Sequence, residues 1–227
     1  MSKMTIAPEI IYIPHDSIIF GMDAYEIQTI SSEIFDQVIK KPGHYTVKIN
    51  PTQPKKCLHN YGFYYCDTLI EPYCTKEKFI YHEHEAIDFK FESHIHDLLS
   101  IIQHVFIYGR FHRDFNVSPQ QAENRYAHWL KQLHAAGSIY ALYYKHDLAG
   151  FIAVVENKLV LHALSHQYQG KGLSKFFWSK VCAHLYDLGC HELLSSISAA
   201  NLAAVNLYTS LGFHFRNAVD VYHRLVK

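Results

Sequence analysis

The stretch from His166 to Trp178 combines residue types that bind anions well. Gly170 and Gly172 have no Cβ atom, so the backbone there can adopt unusual angles and approach a ligand closely. A helix is predicted to begin at about Gly172, and the N–H groups of its first turn have no partner inside the helix. These groups and the helix dipole favour a phosphate, to which Gln169 and Lys171 add an amide donor and a charge. The stretch predicts a phosphate site, although glycine turns before helices are often only structural.

Two common phosphate-binding motifs do not fit this loop. A P-loop requires the spacing GxxxxGK[ST], which the loop lacks. A dinucleotide-binding fold requires GxGxxG followed by alternating strands and helices, and too few residues follow the loop in this sequence for those units. The elements around the loop must therefore identify the ligand.

The hydrophobic pattern around the loop predicts a mixed α/β domain. A strand over residues 79–91 and a helix are followed by a second helix, for which Ser118 and Pro119 give strong start signals. Three strands then lead into the glycine loop and its helix, followed by a strand, a helix capped by Asn201 and two closing strands. Hairpins in the middle and single helices between the later strands predict a mixed sheet flanked by helices.

The N-terminal third has a different pattern, in which short apolar strands alternate with turns. A strand over Tyr61–Pro72 is predicted to end at its proline, and periodicity is lost from there to Lys78. We therefore predict a smaller N-terminal α/β domain over residues 1–78 and a second domain over residues 79–227.

Composition excludes several classes of partner. Lys plus Arg and Asp plus Glu each number 21, so the net charge is zero and no nucleic-acid partner is expected. The N-terminal apolar run is too short for a signal peptide, and no stretch has the apolar length of a membrane span. The 5 cysteines are odd in number and show no CxxC spacing, as is typical of reduced thiols. A cytoplasmic protein without membrane partners is predicted.

The histidine-rich segment raises the alternative of a metal site. His82 and His84 would share one face of the predicted strand, where two imidazoles can chelate a metal ion. The chain has 18 histidines, and the others are scattered without a pattern, so no metal is expected.

The glycine loop and a second motif together resemble the GCN5-related N-acetyltransferases (GNAT). The loop Gln169-Gly170-Lys171-Gly172-Leu173-Ser174 is similar to the family's Q/R-x-x-G-x-G/A, apart from its final serine. The segment from Asn201 to Phe213 resembles the family's N-x-x-A-x-x-L-Y-x-x-x-G-F. The resemblance covers about residues 80–227 and implies a GNAT-type sheet. It also implies acetyl-CoA as cosubstrate, with the pyrophosphate of CoA on the loop from Gln169 to Ser174.

The resemblance also implies roles for single residues. In this family the strand before the loop is splayed at a bulge, which makes the Leu164 N–H the donor to the thioester carbonyl. Asn201 would contact the pantetheine arm of CoA. Tyr208 would protonate the departing CoA thiolate as a general acid. The alternative for Tyr208 is a core aromatic residue on an amphipathic helix.

Short patterns outside the CoA motifs resemble the acetyltransferases of the TDP-fucosamine type, which act on TDP-4-amino sugars for polysaccharide biosynthesis. These patterns lie at Asp16–Gly21, Gly62–Asp67 and Arg110–Asp114, and they extend the resemblance over nearly the whole chain. The resemblance implies a small-molecule acceptor, an amino-sugar nucleotide, and an N-terminal domain that contributes to the acceptor site. A homodimer is left open.

A protonated amine must lose a proton before it attacks, so a base is needed. The resemblance places Asp67 in that role, through ordered water, with Glu156 and His162 as the other candidates. Arg110, His112 and Arg113 are predicted to meet the nucleotide diphosphate, to which arginine offers bidentate donors. The alternatives are a capped strand end for Asp67 and a solvated loop for the basic residues.

The sequence leaves two other functions open. The first is a GNAT enzyme that acts on a protein N-terminus, a lysine or a small amine, although the neutral charge balance does not predict an acidic face for polyamines. The second is a CoA-binding module without catalysis, against which the presence of Asn201 and Tyr208 argues.

Overall fold

The computed structural model describes residues 9–91 and 93–227, and the chain forms two compact units. The first unit contains the chain up to Leu69, Tyr108–Arg125 and Ala218–Lys227, and the second contains Ile70–Ile107 and Tyr126–Asn217. The first unit is therefore assembled from separate stretches of sequence, unlike the predicted domains over residues 1–78 and 79–227. The difference arises because the C-terminal residues form a strand with N-terminal ones, which periodicity along the chain does not reveal. The segment over residues 1–8, part of the region in which no signal peptide was predicted, lies outside the described residues.

The helices are α1 (Pro14–Phe20), α2 (Ser32–Val38), α3 (Lys56–Asn60), α4 (Ile95–Ile101), α5 (Pro119–Ala135), α6 (Ser174–Asp187) and α7 (Leu202–Ser210). The strands are β1 (Ile10–Tyr12), β2 (Ala24–Ile27), β3 (Gly43–Ile49), β4 (Tyr64–Thr75), β5 (Ile87–Lys90), β6 (Ile139–Tyr144), β7 (Asp147–Val155), β8 (Lys158–Leu164), β9 (Glu192–Ser195), β10 (Ile197–Ser198) and β11 (His214–Val226). Within the described residues, no helix combines the length and the apolar character that crossing a membrane requires.

The first unit is built on a mixed sheet. β1 pairs antiparallel with β2, β2 pairs parallel with β3, and β3 pairs antiparallel with the last residues of β11. Helix α2 and the sheet bury an aromatic core that includes Tyr25, Phe35, Tyr45, Phe63 and Tyr222. This packing fixes the C-terminal strand in the first unit.

The second unit has a mixed sheet with helices on both faces. β5, β6, β7 and β8 form an antiparallel series, β8 pairs parallel with β9, and β9 pairs antiparallel with the end of β4. Successive side chains of a strand point to opposite faces. In β7, Phe151 packs in the cluster with residues of α4 and α5, whereas Ile152 packs in the cluster with residues of α6 and α7. The predicted mixed α/β fold is confirmed.

Two of the predicted strands differ from the structure. The segment over residues 79–91 forms a strand only at β5, because single hydrogen bonds tie its first part to other elements. Ile80 N donates to Leu211 O, and His82 N donates to Ser179 Oγ. β4 continues through Pro72 to Thr75, since its pairing with β9 begins only at Tyr73.

The predicted pair of closing strands is wrong, because β11 is one strand of 13 residues. Arg216 Nε and Asn217 Nδ2 both donate to Glu71 Oε1, so these polar residues are held in the strand and form no turn.

The predicted start of α5 is confirmed. Pro119 is its first residue, and Ser118 and Gln121 bond each other reciprocally. Gln121 N donates to Ser118 Oγ at 3.2 Å, and Ser118 N donates to Gln121 Oε1 at 3.0 Å. This capping box satisfies N–H groups that the helix itself leaves without partners.

Candidate active site

The centre of the candidate site in the second unit is the edge of β8. β8 pairs with β7 along its length, but it pairs with β9 only at Lys158 and Leu159. The register between β7 and β8 shifts next to Val160, which is the extra residue of a β-bulge. The described register of this edge ends at Leu159, which pairs with Ser195, the last residue of β9, so β8 has no described strand partner on this side from Val160 to Leu164.

The Leu164 N–H points to the edge on which β8 has no described strand partner. Ser165 N donates to Ala149 O at 2.8 Å, toward β7. Because the N–H groups of successive strand residues point to alternate edges, those of Leu164 and His162 point away from β7. This is the direction that an oxyanion donor requires. The role of Leu164 itself stays a prediction.

Close packing of β7 against β8 depends on Gly150. A Cβ atom at this position would lie 2.3 Å from Ala163 O, so a side chain would push the two strands apart. Gly150 is paired with Leu164, and it therefore helps to fix the position of the predicted oxyanion donor.

The glycine loop joins β8 to α6. Gly170 has a φ of 70° and Gly172 a φ of 72°, which is the left-handed region that glycine adopts without strain. The Gln169 Nε2 donates to Leu164 O at 2.7 Å and ties the loop to β8. The Leu173 side chain makes no capping hydrogen bond at the start of α6. The loop is exposed, and its geometry fits an anion-binding turn at a helix N-terminus.

Tyr208 lies on α7 and meets a histidine of β8. Its side chain is 0% exposed, and its ring packs 4.9 Å from that of Phe213. Its hydroxyl lies 3.0 Å from His162 Nε2. The ring is therefore part of the core, as the structural alternative predicted, while the hydroxyl takes part in a polar pair.

Burial acts in opposite directions on the two groups of this pair. It raises the pKa of Tyr208 well above its ordinary value, so the hydroxyl keeps its proton. It lowers the pKa of His162 to about 4, so the imidazole is neutral near pH 7. No local pattern of the sequence predicted this contact, because the two residues lie 46 positions apart. The available signal was that His162 precedes Leu164 by two residues and so points its N–H to the same edge.

Asn201 has a structural function at the start of α7. Its side chain accepts a hydrogen bond from Ala204 N at 3.1 Å, which is the predicted cap. Its contact with a pantetheine arm stays a prediction.

Glu156 lies at the wrong end of β8 to act near Leu164. It occupies the turn between β7 and β8 with a φ of 56°, and it is exposed. From Lys158 to Leu164 the strand advances by about 20 Å at roughly 3.3 Å per residue. A proton cannot be exchanged directly over such a distance.

The residues predicted at the acceptor lie in the first unit. Asp67 is buried, and its Oδ1 accepts a hydrogen bond from Arg113 Nη1 at 2.9 Å, whereas the Arg113 side chain is 35% exposed. Arg110 lies over the Phe111 ring at 4.7 Å. Burial lowers the pKa of His112. The structure thus pairs Asp67 with Arg113, which sequence analysis assigned to separate parts of an acceptor.

Comparison with known proteins finds one matching protein family and related sequences. Residues 104–213 match the sequence profile of the Acetyltransferase (GNAT) family. The match covers slightly less than half of the chain. A spermine/spermidine N(1)-acetyltransferase of Bacillus subtilis is 34% identical over an alignment of 92 residues, with 35% of this chain covered. The chain spans 60% of the length of that relative.

Solved structures agree with a GNAT fold. A functionally unknown conserved protein from Staphylococcus epidermidis has a TM-score of 0.65 and 14% identity, covering 100% of this chain and 94% of its own. A GCN5-related N-acetyltransferase from Sphaerobacter thermophilus has a TM-score of 0.58 and 11% identity, covering 86% of this chain and 64% of its own. At these identities the likeness concerns the fold alone.

Proposed function

We propose that the protein is an acetyl-CoA-dependent N-acetyltransferase that acts on the amine of a small molecule. The observation that carries this proposal is the edge of β8 without a described strand partner, where the Leu164 N–H has the direction of an oxyanion donor. The Tyr208–His162 pair and the glycine loop belong to the same unit. GNAT enzymes take acetyl-CoA as cosubstrate, and the matched segment contains all three features.

The glycine loop fits the diphosphate of CoA. A Cβ atom at Gly170 or Gly172 would meet no atom of the described residues within 4 Å, so the outer side of the loop is clear. The backbone N–H groups from Gln169 to Ser174 and the N-terminus of α6 would bind the diphosphate oxygens, with Lys171 adding a positive charge. Acetyl-CoA supplies the acetyl group as a thioester.

The chain's own groups then perform three tasks. The Leu164 N–H stabilises the negative charge that develops on the thioester oxygen when the amine attacks. Tyr208 gives the proton of its hydroxyl to the thiolate as the C–S bond breaks. The attacking amine releases one proton to water, the thiolate gains one from Tyr208, and Tyr208 regains its proton from water after CoA leaves. His162, which bonds the Tyr208 hydroxyl, orients it.

The proposal specifies the acceptor only as a small molecule that carries an amine. The Bacillus subtilis relative is named for spermine and spermidine, which supports a small amine as the acceptor class. An amino-sugar nucleotide is the second candidate, since the guanidinium of Arg113 stays 35% exposed and can offer further N–H donors to a diphosphate. Asp67 would act there as a base only when it is released from Arg113, so the structure gives the base role less support than the sequence did.

A thiol-release assay tests the proposal. Purified protein would be incubated with acetyl-CoA and, in separate reactions, with spermidine, amino-sugar nucleotides and a peptide with a free N-terminus. We expect CoA release that depends on one class of small amine, with the acetylated amine found by mass spectrometry. Spermidine and the sugar nucleotides separate the two acceptor candidates. Binding of acetyl-CoA without release for any acceptor would refute catalysis and favour the CoA-binding module.

A further inference from the structure

Three polar side chains from distant parts of the sequence meet in the core of the first unit. His44 lies on β3, His223 on β11, and Asp114 in the segment before α5. They are 2%, 0% and 1% exposed. One atom of each, His44 Nε2, Asp114 Oδ2 and His223 Nδ1, lies within 4.8 Å of the other two. The proposed acetyl transfer uses none of these residues.

The carboxylate of Asp114 is held in one orientation. Its Oδ1 accepts hydrogen bonds from the Tyr64 hydroxyl and from Asn116 N, each at 2.8 Å. Its Oδ2 is thereby directed at both imidazoles, 2.8 Å from His44 Nε2 and 2.7 Å from His223 Nδ1. Outer partners that fix a carboxylate in this way are characteristic of metal ligands.

Apolar rings surround the two imidazoles. Phe20 lies 5.2 Å from the ring of His44, and Phe111 lies 5.2 Å from the ring of His223.

We propose that His44, Asp114 and His223 form a structural binding site for a divalent transition metal ion of the Zn²⁺ class. Two imidazole nitrogens and a carboxylate oxygen are a donor set that zinc accepts, and the nitrogens disfavour Mg²⁺ and Ca²⁺. The ion binds at His44 Nε2 and His223 Nδ1, and each ring then carries its proton on its other nitrogen. It links β3, β11 and the segment before α5, and it stabilises the first unit without entering the acetyl transfer.

The histidine pair that sequence analysis considered has other partners. His82 Nε2 bonds Ser210 O at 2.9 Å, and His84 Nδ1 accepts from Ala86 N at 3.2 Å. The three ligands proposed here are separated by 70 and 109 residues, so no local spacing could indicate them.

Metal analysis of the full-length protein tests the site. Protein produced with Zn²⁺ in the medium would be dialysed against a weak chelator, and its metal content measured by mass spectrometry. We expect about one equivalent of zinc. We expect His223→Gln to lose the ion and Tyr64→Phe to bind it about 10–100-fold more weakly, because only the orientation of Asp114 suffers. His82→Gln is the matched control and should keep the ion.

Thermal unfolding of the wild type tests the zinc site even if a variant fails to fold. Because an ion that binds only the folded state stabilises it, removal of zinc by a strong chelator should lower the melting temperature, and added zinc should restore it. Wild-type protein without zinc and with the same melting temperature in chelator and in zinc would overturn the proposal. The cluster would then be a hydrogen-bonded one in which Asp114 accepts four bonds. Equal zinc content in the wild type and His223→Gln would overturn it as well.

Discussion

At the scale of single residues, the Tyr208 hydroxyl and the His162 imidazole define the chemistry that this chain offers. They are 3.0 Å apart, and burial drives their pKa values in opposite directions. The contact orients the Tyr208 hydroxyl, and the raised pKa of Tyr208 keeps the proton that a general acid donates. The pair also keeps both polar groups satisfied inside a cluster of apolar side chains.

Tyr208→Phe tests the acid role. The substitution keeps the ring and its packing but removes the proton, so turnover should fall by about 10²–10⁴-fold while acetyl-CoA binding persists. Turnover would be measured with the acceptor found in the thiol-release assay, and binding by calorimetry.

The matched control for this substitution is Tyr186→Phe. Tyr186 is also a buried tyrosine of the second unit, and its hydroxyl donates to Cys74 O at 2.9 Å. This variant loses a hydrogen bond but no proton donor, so its turnover should match that of the wild type. Equal turnover of both variants would return Tyr208 to a purely structural role.

At the scale of elements, the geometry of β8 and the loop after it explains why local sequence predicted this region well. The glycines, the capping residues and the helix starts act on their near neighbours, so short patterns contain the information. Ser118 and Asn201 cap α5 and α7 as predicted. The end of pairing between β8 and β9 was implied only by the family resemblance, because no local pattern reports where pairing between two strands ends.

Gly172→Asp tests the loop. The new carboxylate would stand against the diphosphate, and an aspartate at a φ of 72° is strained, so acetyl-CoA binding should be abolished. Calorimetric titration with acetyl-CoA measures the effect.

Gly137→Asp provides the control for backbone strain. Gly137 follows α5 with a φ of 67°, and a Cβ there would also meet no described atom within 4 Å. This variant carries the same charge and a similar strain away from the loop, so it should bind acetyl-CoA as the wild type does. If Gly172→Asp also keeps its affinity, the loop does not bind the diphosphate.

At the scale of the whole molecule, the two units explain what the sequence could not predict. Periodicity reports elements, but membership of a unit depends on contacts between residues that are distant in the chain. The strand over Asp220–Val226 joins β3, and Asp114 bonds His44 and His223. A single boundary along the chain therefore assigns the C-terminal strand to the wrong unit. The predicted boundary after residue 78 still lies near Leu69, where the first stretch of the first unit ends.

The division into units also gives a selective probe of stability. The tryptophans, Trp129 and Trp178, both lie in the second unit, as does His162. Tryptophan fluorescence during denaturant unfolding therefore reports on the unit that contains the candidate active site. Such a probe can follow the effect of His162 on stability without a contribution from tryptophans of the first unit.

His162 should make the second unit sensitive to acid. Its pKa falls from about 6.5 in an unfolded chain to about 4 in the fold, so the unfolded state binds the proton first as pH decreases. The stability that its neutral form provides is complete above pH 6.5 and is lost as pH falls toward 4, by at most about 3 kcal/mol. His162→Gln cannot take up this proton, so its free energy of unfolding should decrease less over the same interval. Denaturant titrations between pH 7 and pH 4 compare the two proteins, and parallel curves would show that folding leaves the pKa of His162 unchanged.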